Sequence, residues 1–242
     1  MFKSLCLAAL VSLSSFSLNC LAAEKTVGVF VALADNEHQG IVPVPKALGT
    51  GDDPERNLYW GSADGLATVF NRSKQWKLTE HTDTANGDVL RTRTYQHPQT
   101  NTLLYARAYN GAAIQQAVKD FESAIANDSY DLVVFIGHNG LMDFQLAAPT
   151  AQADSSNTPD SIVLACKSEK YFKERIQDAG GRPVLLTTQF MYPGAFILHA
   201  ALNDWLADGD LGKIRASAGQ SYAKNQRIST KAATGVFSNL NP

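Results

Sequence analysis

The segment Asp160–Phe172, DSIVLACKSEKYF, joins a short apolar run to a helical pattern at a single cysteine. Ile162–Ala165 is continuously apolar, as strands buried on both faces of a parallel sheet are. A helical pattern follows, with Ser168 as the predicted N-cap and the Gly180-Gly181 pair as its stop. The segment therefore predicts one strand–helix unit of an α/β fold, with Cys166 at the carboxyl end of the strand.

Three further runs have the same continuous apolar character, namely Val27–Ala34, Leu132–Ile136 and Val184–Leu186. Helical patterns lie between or after them. One has an apolar face that recurs from Ile114 to Ile125, and another begins near Pro193. This alternation of strands and helices predicts a three-layer αβα sandwich with a mainly parallel central sheet.

Two regions depart from the alternation. Residues 36–66 are rich in Gly, Pro, Asp and Asn, which predicts a long ordered loop. Its GTGDDPERNLYWG portion has oxygen ligands without the spacing of a calcium loop, so a structural turn is favoured over a calcium site. Residues 88–110 predict a hairpin around HPQTN. No linker or repeat is evident, so residues 24–242 are predicted to form a single domain.

The N-terminus predicts an export signal. Lys3 precedes the apolar run LCLAALVSLSSFSLNCLAA, which ends in small residues and favours cleavage after Ala22 or Ala23. A lipoprotein alternative would use Cys20, but Asn19 before it is a poor match. We therefore expect a periplasmic or secreted protein without stable membrane insertion, since the run is short for a membrane helix.

Composition excludes several classes of function. The chain of 242 residues has a net charge of -2 and no basic cluster, so nucleic acid is not an expected partner. Phosphate-loop, dinucleotide-binding and GxSxG motifs are absent from the sequence, and no cofactor is expected. The five histidines lack metal-ligand spacing, so no metal is expected.

Two reactive side chains follow predicted strands. His138 comes after LVVFIG and Cys166 after SIVLA, and parallel strands end at the same edge of a sheet. A thiol is activated by a neighbouring imidazole and by the N-terminal end of a helix. Removal of the signal would leave Cys166 as the one cysteine of the mature chain. A small buried structural residue is the alternative role for that thiol.

The motifs VVFIGHNG and IVLACKS resemble the His and Cys motifs of the caspase-like cysteine peptidases, which include caspases, legumain, gingipains and clostripain. The order of the two motifs matches that family. The resemblance implies a caspase-like fold and a peptide or protein substrate. It also implies that Cys166 is the nucleophile, that His138 is the acid/base, and that the N–H group of Cys166 and one near Gly140 stabilise an oxyanion.

The chain departs from the His-Gly pattern of the family because Asn139 stands between His138 and Gly140. The main expectation is an exported cysteine peptidase, or a hydrolase of a similar acyl bond. The alternative is a non-catalytic caspase-like binding domain of the cell envelope, in which the loop of residues 36–66 forms the binding surface.

Weaker expectations concern the surroundings of the predicted dyad. Glu37 and His38 follow the first strand and are candidates to line the cleft, with Glu37 a candidate to orient His138. The favoured alternative is that both residues stabilise the long loop. Family members use charged residues to select a substrate side chain. The candidates for a wall of the specificity pocket are Asp143, Glu169 and Gln189, each of which has an ordinary solvated or capping role as its alternative.

Overall fold

A central sheet organises the computed structural model, which describes residues 25–83, 87–151 and 157–241. The described residues form a seven-stranded sheet in the order β2-β3-β4-β1-β5-β6-β7. The strands are β1 Thr26–Ala32, β2 Lys77–Thr82, β3 Val89–His97, β4 Thr102–Tyr109, β5 Leu132–Ile136, β6 Asp160–Leu164 and β7 Arg182–Leu185. The predicted signal peptide, residues 1–23, lies outside the described residues.

Parallel pairing dominates the sheet. β4-β1, β1-β5, β5-β6 and β6-β7 are parallel, whereas β2-β3 and β3-β4 are antiparallel. The predicted hairpin of residues 88–110 is confirmed as β3 and β4. The edge strand β2 was not anticipated, because all six of its residues are exposed and its sequence KLTEHT lacks an apolar face.

Helices cover both faces of the sheet. They are α1 Leu66–Asn71, α2 Ile114–Ala126, α3 Ser168–Asp178, α4 Ala195–Leu206, α5 Leu211–Gln226 and α6 Thr230–Thr234, with short 3-10 turns at Gly111–Ala113 and Gly140–Met142. α2 and α3 pack on one face. α1, α4 and α5 pack on the other. The predicted α/β sandwich with a mostly parallel central sheet is confirmed at this level.

Alternate residues of each strand supply the two cores. In β1, Val27, Val29 and Val31 belong to one apolar cluster, and Phe30 and Ala32 belong to the other. Burial of a valine or phenylalanine side chain contributes about 1.5–3 kcal/mol. Continuous apolar strands are therefore explained by burial on both faces, and β5 and β6 are buried along their whole length.

Two predicted boundaries need correction. Ser168 is the first residue of α3 rather than its N-cap, because Lys167 occupies the cap position in a left-handed conformation. The helix predicted near Pro193 begins at Ala195. Asn110 caps the turn before α2, since its side chain accepts a hydrogen bond from the Ala112 N–H. The loop of residues 36–66 has no helix or strand before α1.

The parallel topology brings the carboxyl ends of β1, β5, β6 and β7 to one edge of the sheet. This is the edge at which sites form in open α/β sheets. Among the described residues, no helix has the combination of length and apolarity that crossing a bilayer requires.

Candidate active site

His138 is placed by a glycine and a tight turn after β5. Gly137 has φ +156°, and an added Cβ would lie 2.9 Å from the Ala32 carbonyl oxygen. The next turn has Asn139 at its centre, with φ -81° and ψ 84°. The Gly140 N–H donates to the His138 carbonyl at 3.1 Å, which is the pattern of an inverse γ-turn. The imidazole is thereby held at the end of the strand.

A carboxylate contacts one nitrogen of the imidazole. Nε2 of His138 lies 2.6 Å from Oδ2 of Asp143, and the His138 side chain is 8% exposed against 38% for Asp143. The same Asp143 oxygen accepts a hydrogen bond from the Gly40 N–H at 3.0 Å. A proton on Nε2 that faces this carboxylate leaves Nδ1 with its lone pair, so Nδ1 is the nitrogen able to accept a proton.

Cys166 lies in a sharp turn between β6 and α3. Lys167 follows it with φ 51° and ψ 35°, a conformation that costs a non-glycine residue free energy. The Lys167 N–H donates to the Gln189 carbonyl at 3.0 Å. Ser168 and Thr187, both fully buried, donate backbone N–H groups to each other's hydroxyl oxygens at 3.0 and 2.8 Å. These bonds hold the turn against the segment that follows β7.

Asn139 connects the two strand ends. Its side chain is fully buried, and its Nδ2 donates to the Cys166 carbonyl oxygen at 2.7 Å. The residue that interrupts the expected His-Gly pair thus ties the histidine turn to the cysteine turn.

The thiol of Cys166 contacts the backbone of Met191. The Met191 N–H lies 3.4 Å from Sγ, and the Met191 carbonyl oxygen lies 3.5 Å from it. The N–H is therefore a donor where negative charge would develop on sulfur. Within the described residues, no hydrogen bond joins the thiol to His138.

A single cavity of about 460 Å³ contains both predicted reactive groups among its lining residues. His138 and Cys166 share it with Tyr59, which is 7% exposed and comes from the loop of residues 36–66. Burial raises the pKa of the Tyr59 hydroxyl, and Cys166 and then Tyr192 add to the effect. The hydroxyl therefore remains protonated, and Tyr59 is a hydrogen-bond donor that lines the same cavity as Cys166.

Glu37 and His38 lie elsewhere. They line a second cavity at the end of β1, together with Asp35 and Asp52. Nδ1 of His38 lies 2.9 Å from Oδ2 of Asp35, and the Glu37 N–H donates to the other oxygen of that carboxylate. Glu37 and His38 are therefore wrong as candidates for the cleft of the cysteine, and their contacts with Asp35 match the favoured alternative of a role within the loop. Asp143 rather than Glu37 is hydrogen-bonded to His138.

The three candidate specificity residues also have other contacts. Asp143 pairs with His138, and Glu169 accepts a hydrogen bond from the Ser238 hydroxyl at 3.0 Å. Gln189 is exposed, and its carbonyl accepts from Lys167. None of the three is among the residues that line the 460 Å³ cavity.

The N–H of Gly140 itself is used within the histidine turn, whereas the resemblance implied an oxyanion donor near this residue. Its N–H donates to the His138 carbonyl, and its Cα faces Phe144 and Ile114 in the core. Among the described residues, the Cys166 backbone N–H donates to no protein acceptor, so it keeps that predicted role.

The structure adds Tyr59, Met191 and Thr187 to the site, which sequence reasoning missed. Tyr59 stands in the apolar fragment NLYW of a loop that was recognised only as ordered. Met191 and Thr187 follow the strand β7, so their position at the same sheet edge was a usable signal. No local pattern marked their contacts with Cys166 and Ser168, which are long-range.

The described residues contain no group of three or more His, Cys, Asp or Glu side chains arranged to hold a metal ion.

In comparisons with known proteins, no family model, curated protein or solved structure matches the chain.

Proposed function

We propose that the protein is a cysteine-dependent acyl-bond hydrolase of the peptidase type, related to the caspase-like fold by its His and Cys strand ends. One observation carries the proposal. The Cys166 thiol and the imidazole of His138 line one cavity, and the carboxylate of Asp143 holds that imidazole at 2.6 Å.

The proposed reaction begins with transfer of the thiol proton to Nδ1 of His138. The sulfur of Cys166 then forms a bond with the substrate carbonyl carbon, and the N–H of Met191 supports the charge on sulfur before attack. The Cys166 N–H and the protonated hydroxyl of Tyr59 are the donors available for the carbonyl oxygen as it becomes an oxyanion.

Collapse of this intermediate breaks the bond to the leaving amine, which departs with the proton held by His138. A water molecule then attacks the thioester on Cys166, and His138 takes its proton. Collapse of this second intermediate breaks the carbon–sulfur bond, and His138 returns the proton to the sulfur as the carboxylic acid leaves. Asp143 keeps the imidazole oriented through both halves of the reaction.

Acylation with p-nitrophenyl acetate tests the proposal without knowledge of the natural substrate. The wild-type protein is expected to release a burst of p-nitrophenolate and to carry an acetyl group on Cys166, located by mass spectrometry. Replacement Cys166→Ser removes the burst, and His138→Ala lowers the acylation rate by roughly 100-fold or more. Tyr59→Phe lowers it by about tenfold, since one oxyanion donor is lost.

His38→Ala is the matched control, because it removes an imidazole that pairs with an aspartate outside this cavity. Equal acylation of Cys166 in wild type and His138→Ala would exclude the dyad. It would favour the alternative of a non-catalytic binding domain. The hydrogen bond from the Gly140 N–H to the His138 carbonyl supports that alternative, because it leaves this N–H unable to stabilise an oxyanion.

A further inference from the structure

The cavity of Cys166 has apolar walls. Ile41 and Val44 come from the loop of residues 36–66, and Leu58 comes from the same loop closer to α1. Met191 and Pro193 come from the segment after β7. Apolar walls with a few converging polar groups are typical of sites that bind small apolar groups, and 460 Å³ is within their usual size range.

The lining contains no Asp, Glu, Lys or Arg among the described residues. The charged groups nearby have partners of their own. Lys167 lies 4.2 Å from the ring centre of Phe190, Asp64 accepts from the Tyr192 hydroxyl at 3.3 Å, and Asp143 faces His138. A charged substrate side chain that entered this cavity would lose its hydration without gaining a counter-ion.

Apolar side chains also surround the mouth. Val42 is 86% exposed, Phe190 is 66% exposed and Met142 is 37% exposed, and all three line the cavity. Exposed apolar side chains that stand singly are ordinary, but a group around a cavity mouth marks a binding surface. The apolar character thus extends outward from the thiol.

We propose that this cavity binds a large apolar side chain, aromatic or long aliphatic, of a peptide that is attacked by Cys166. The inference rests on the proposed function and specifies its substrate class. It replaces the polar specificity residues expected from the sequence with an apolar wall formed mainly by the loop of residues 36–66 and by Met191.

Covalent peptide probes test the inference. Peptidyl chloromethyl ketones are matched in sequence except for the residue next to the ketone, which is Phe, Leu, Ala, Arg or Asp. The sulfur of Cys166 displaces chloride, and the rate of adduct formation is followed by mass spectrometry. The Phe and Leu probes are expected to react at least about tenfold faster than the Arg and Asp probes.

A variant locates the preference in the cavity. Val44→Trp places a bulky ring where the loop is half-buried, and the ratio of the Phe rate to the Ala rate is expected to fall by about tenfold. Leu78→Trp is the matched control, because Leu78 lies on the exposed edge strand β2. It is expected to leave the ratio unchanged.

The outcomes separate the two proposals. Arg or Asp probes that react as fast as Phe would overturn the apolar specificity and leave the hydrolase proposal standing. If no probe modifies Cys166, the hydrolase proposal fails. Protection of Cys166 against alkylation then tests whether the cavity binds apolar groups. N-acetyl-phenylalanine amide, but not N-acetyl-arginine amide, is then expected to slow alkylation of Cys166 by iodoacetamide. Equal or absent protection would overturn the inference in that case also.

Discussion

Two His–Asp pairs lie at the same edge of the sheet and have opposite exposures. In the pair that ends β1, His38 is 56% exposed and Asp35 is 6% exposed. In the pair that follows β5, His138 is 8% exposed and Asp143 is 38% exposed. The buried member of a pair shows which group the fold holds in place: a carboxylate in the first and an imidazole in the second.

The buried carboxylate of Asp35 is occupied with its own loop. It accepts from the N–H groups of Glu37 and His38 and from the His38 ring. His138 has one side-chain partner in the described part of the chain and faces a cavity that holds a thiol. The difference teaches that a histidine–aspartate contact alone does not indicate chemistry, and that the second pair is distinguished by the thiol that lines the same cavity.

The sharpest test of this comparison replaces each histidine in turn. His138→Ala is expected to slow alkylation of Cys166 by iodoacetamide by roughly 100-fold at neutral pH, because the base is lost. His38→Ala is expected to leave that rate within about twofold, since its ring is outside the cavity. Adduct formation on Cys166, followed by mass spectrometry, gives both rates. Similar losses in the two variants would mean that the pairs are not distinct.

Asn139 sharpens the comparison because its side chain links the turn of His138 to the turn of Cys166 by a hydrogen bond. Asn139→Asp keeps the size of the side chain but lacks the donor to the Cys166 carbonyl, which leaves two buried oxygens facing each other. Loss of this buried hydrogen bond is expected to lower the free energy of unfolding by about 1–3 kcal/mol. Cys166 alkylation is expected to slow by about tenfold, since a small misplacement of reacting groups costs rate.

The measurements are urea unfolding and the alkylation rate under native conditions. Asn36→Asp is the matched control, because the Nδ2 of Asn36 also donates to a backbone carbonyl, that of Val44, but outside the histidine turn. A lower free energy of unfolding in Asn36→Asp would agree with the proposal, because this variant also loses a hydrogen bond to a backbone carbonyl. A loss of Cys166 reactivity as large as in Asn139→Asp would show that the Asn139 contact has no special role.

The two aspartates are expected to give opposite effects. Asp143→Asn is expected to lower the acylation rate of Cys166 by about tenfold and to change stability little, because the carboxylate is partly solvated and acts through the imidazole. Asp35→Asn is expected to cost about 1–3 kcal/mol of unfolding free energy, since it replaces a buried acceptor of several bonds. p-Nitrophenyl acetate acylation and urea unfolding, measured on both variants, form the test. The comparison fails if both variants lose the same property.

The smallest expected effect concerns His97 and His199, which lie away from the sheet edge that holds the two His–Asp pairs. Burial lowers the pKa of His97, and burial together with the nearby His97 lowers the pKa of His199. The unfolded chain therefore binds more protons than the folded one below the ordinary histidine pKa of about 6.5, and stability is expected to fall as the pH drops through that region.

Urea unfolding between about pH 7.5 and 5.5 measures this loss. His199→Gln keeps a polar group near the Ser73 hydroxyl, which lies 2.8 Å from Nε2 in the wild type. It is expected to make the profile flatter than that of the wild type. A profile as steep in His199→Gln as in the wild type would contradict the assignment to buried histidines.

The central part of the fold follows directly from local patterns. β1, β5 and β6 are continuous apolar runs, and α2 has an apolar face from Ile114 to Ile125, so periodicity predicts each of them. β2 has no such pattern, because an exposed edge strand is specified by its neighbour β3 rather than by burial.

The candidate site was predictable only in part. Parallel strand ends meet at one edge, which brought His138 and Cys166 together from the sequence alone. The same rule wrongly brought Glu37 into the cleft, because the loop after β1 turns on the buried Asp35 and forms its own cavity. Contacts such as Asn139 to Cys166, or Thr187 to Ser168, depend on how turns face one another, which no local periodicity encodes.

The walls of the Cys166 cavity come from residues as far apart in sequence as Gly40 and Gln226. Loop closures of this length are slow, so contacts between such segments form late when a chain folds. A partly folded chain would therefore display a thiol of ordinary reactivity, even with β5 and β6 already paired. During refolding, the appearance of enhanced Cys166 reactivity is expected to coincide with the docking of α5, which supplies Tyr222 and Gln226 to the wall, and so to report completion of the native topology.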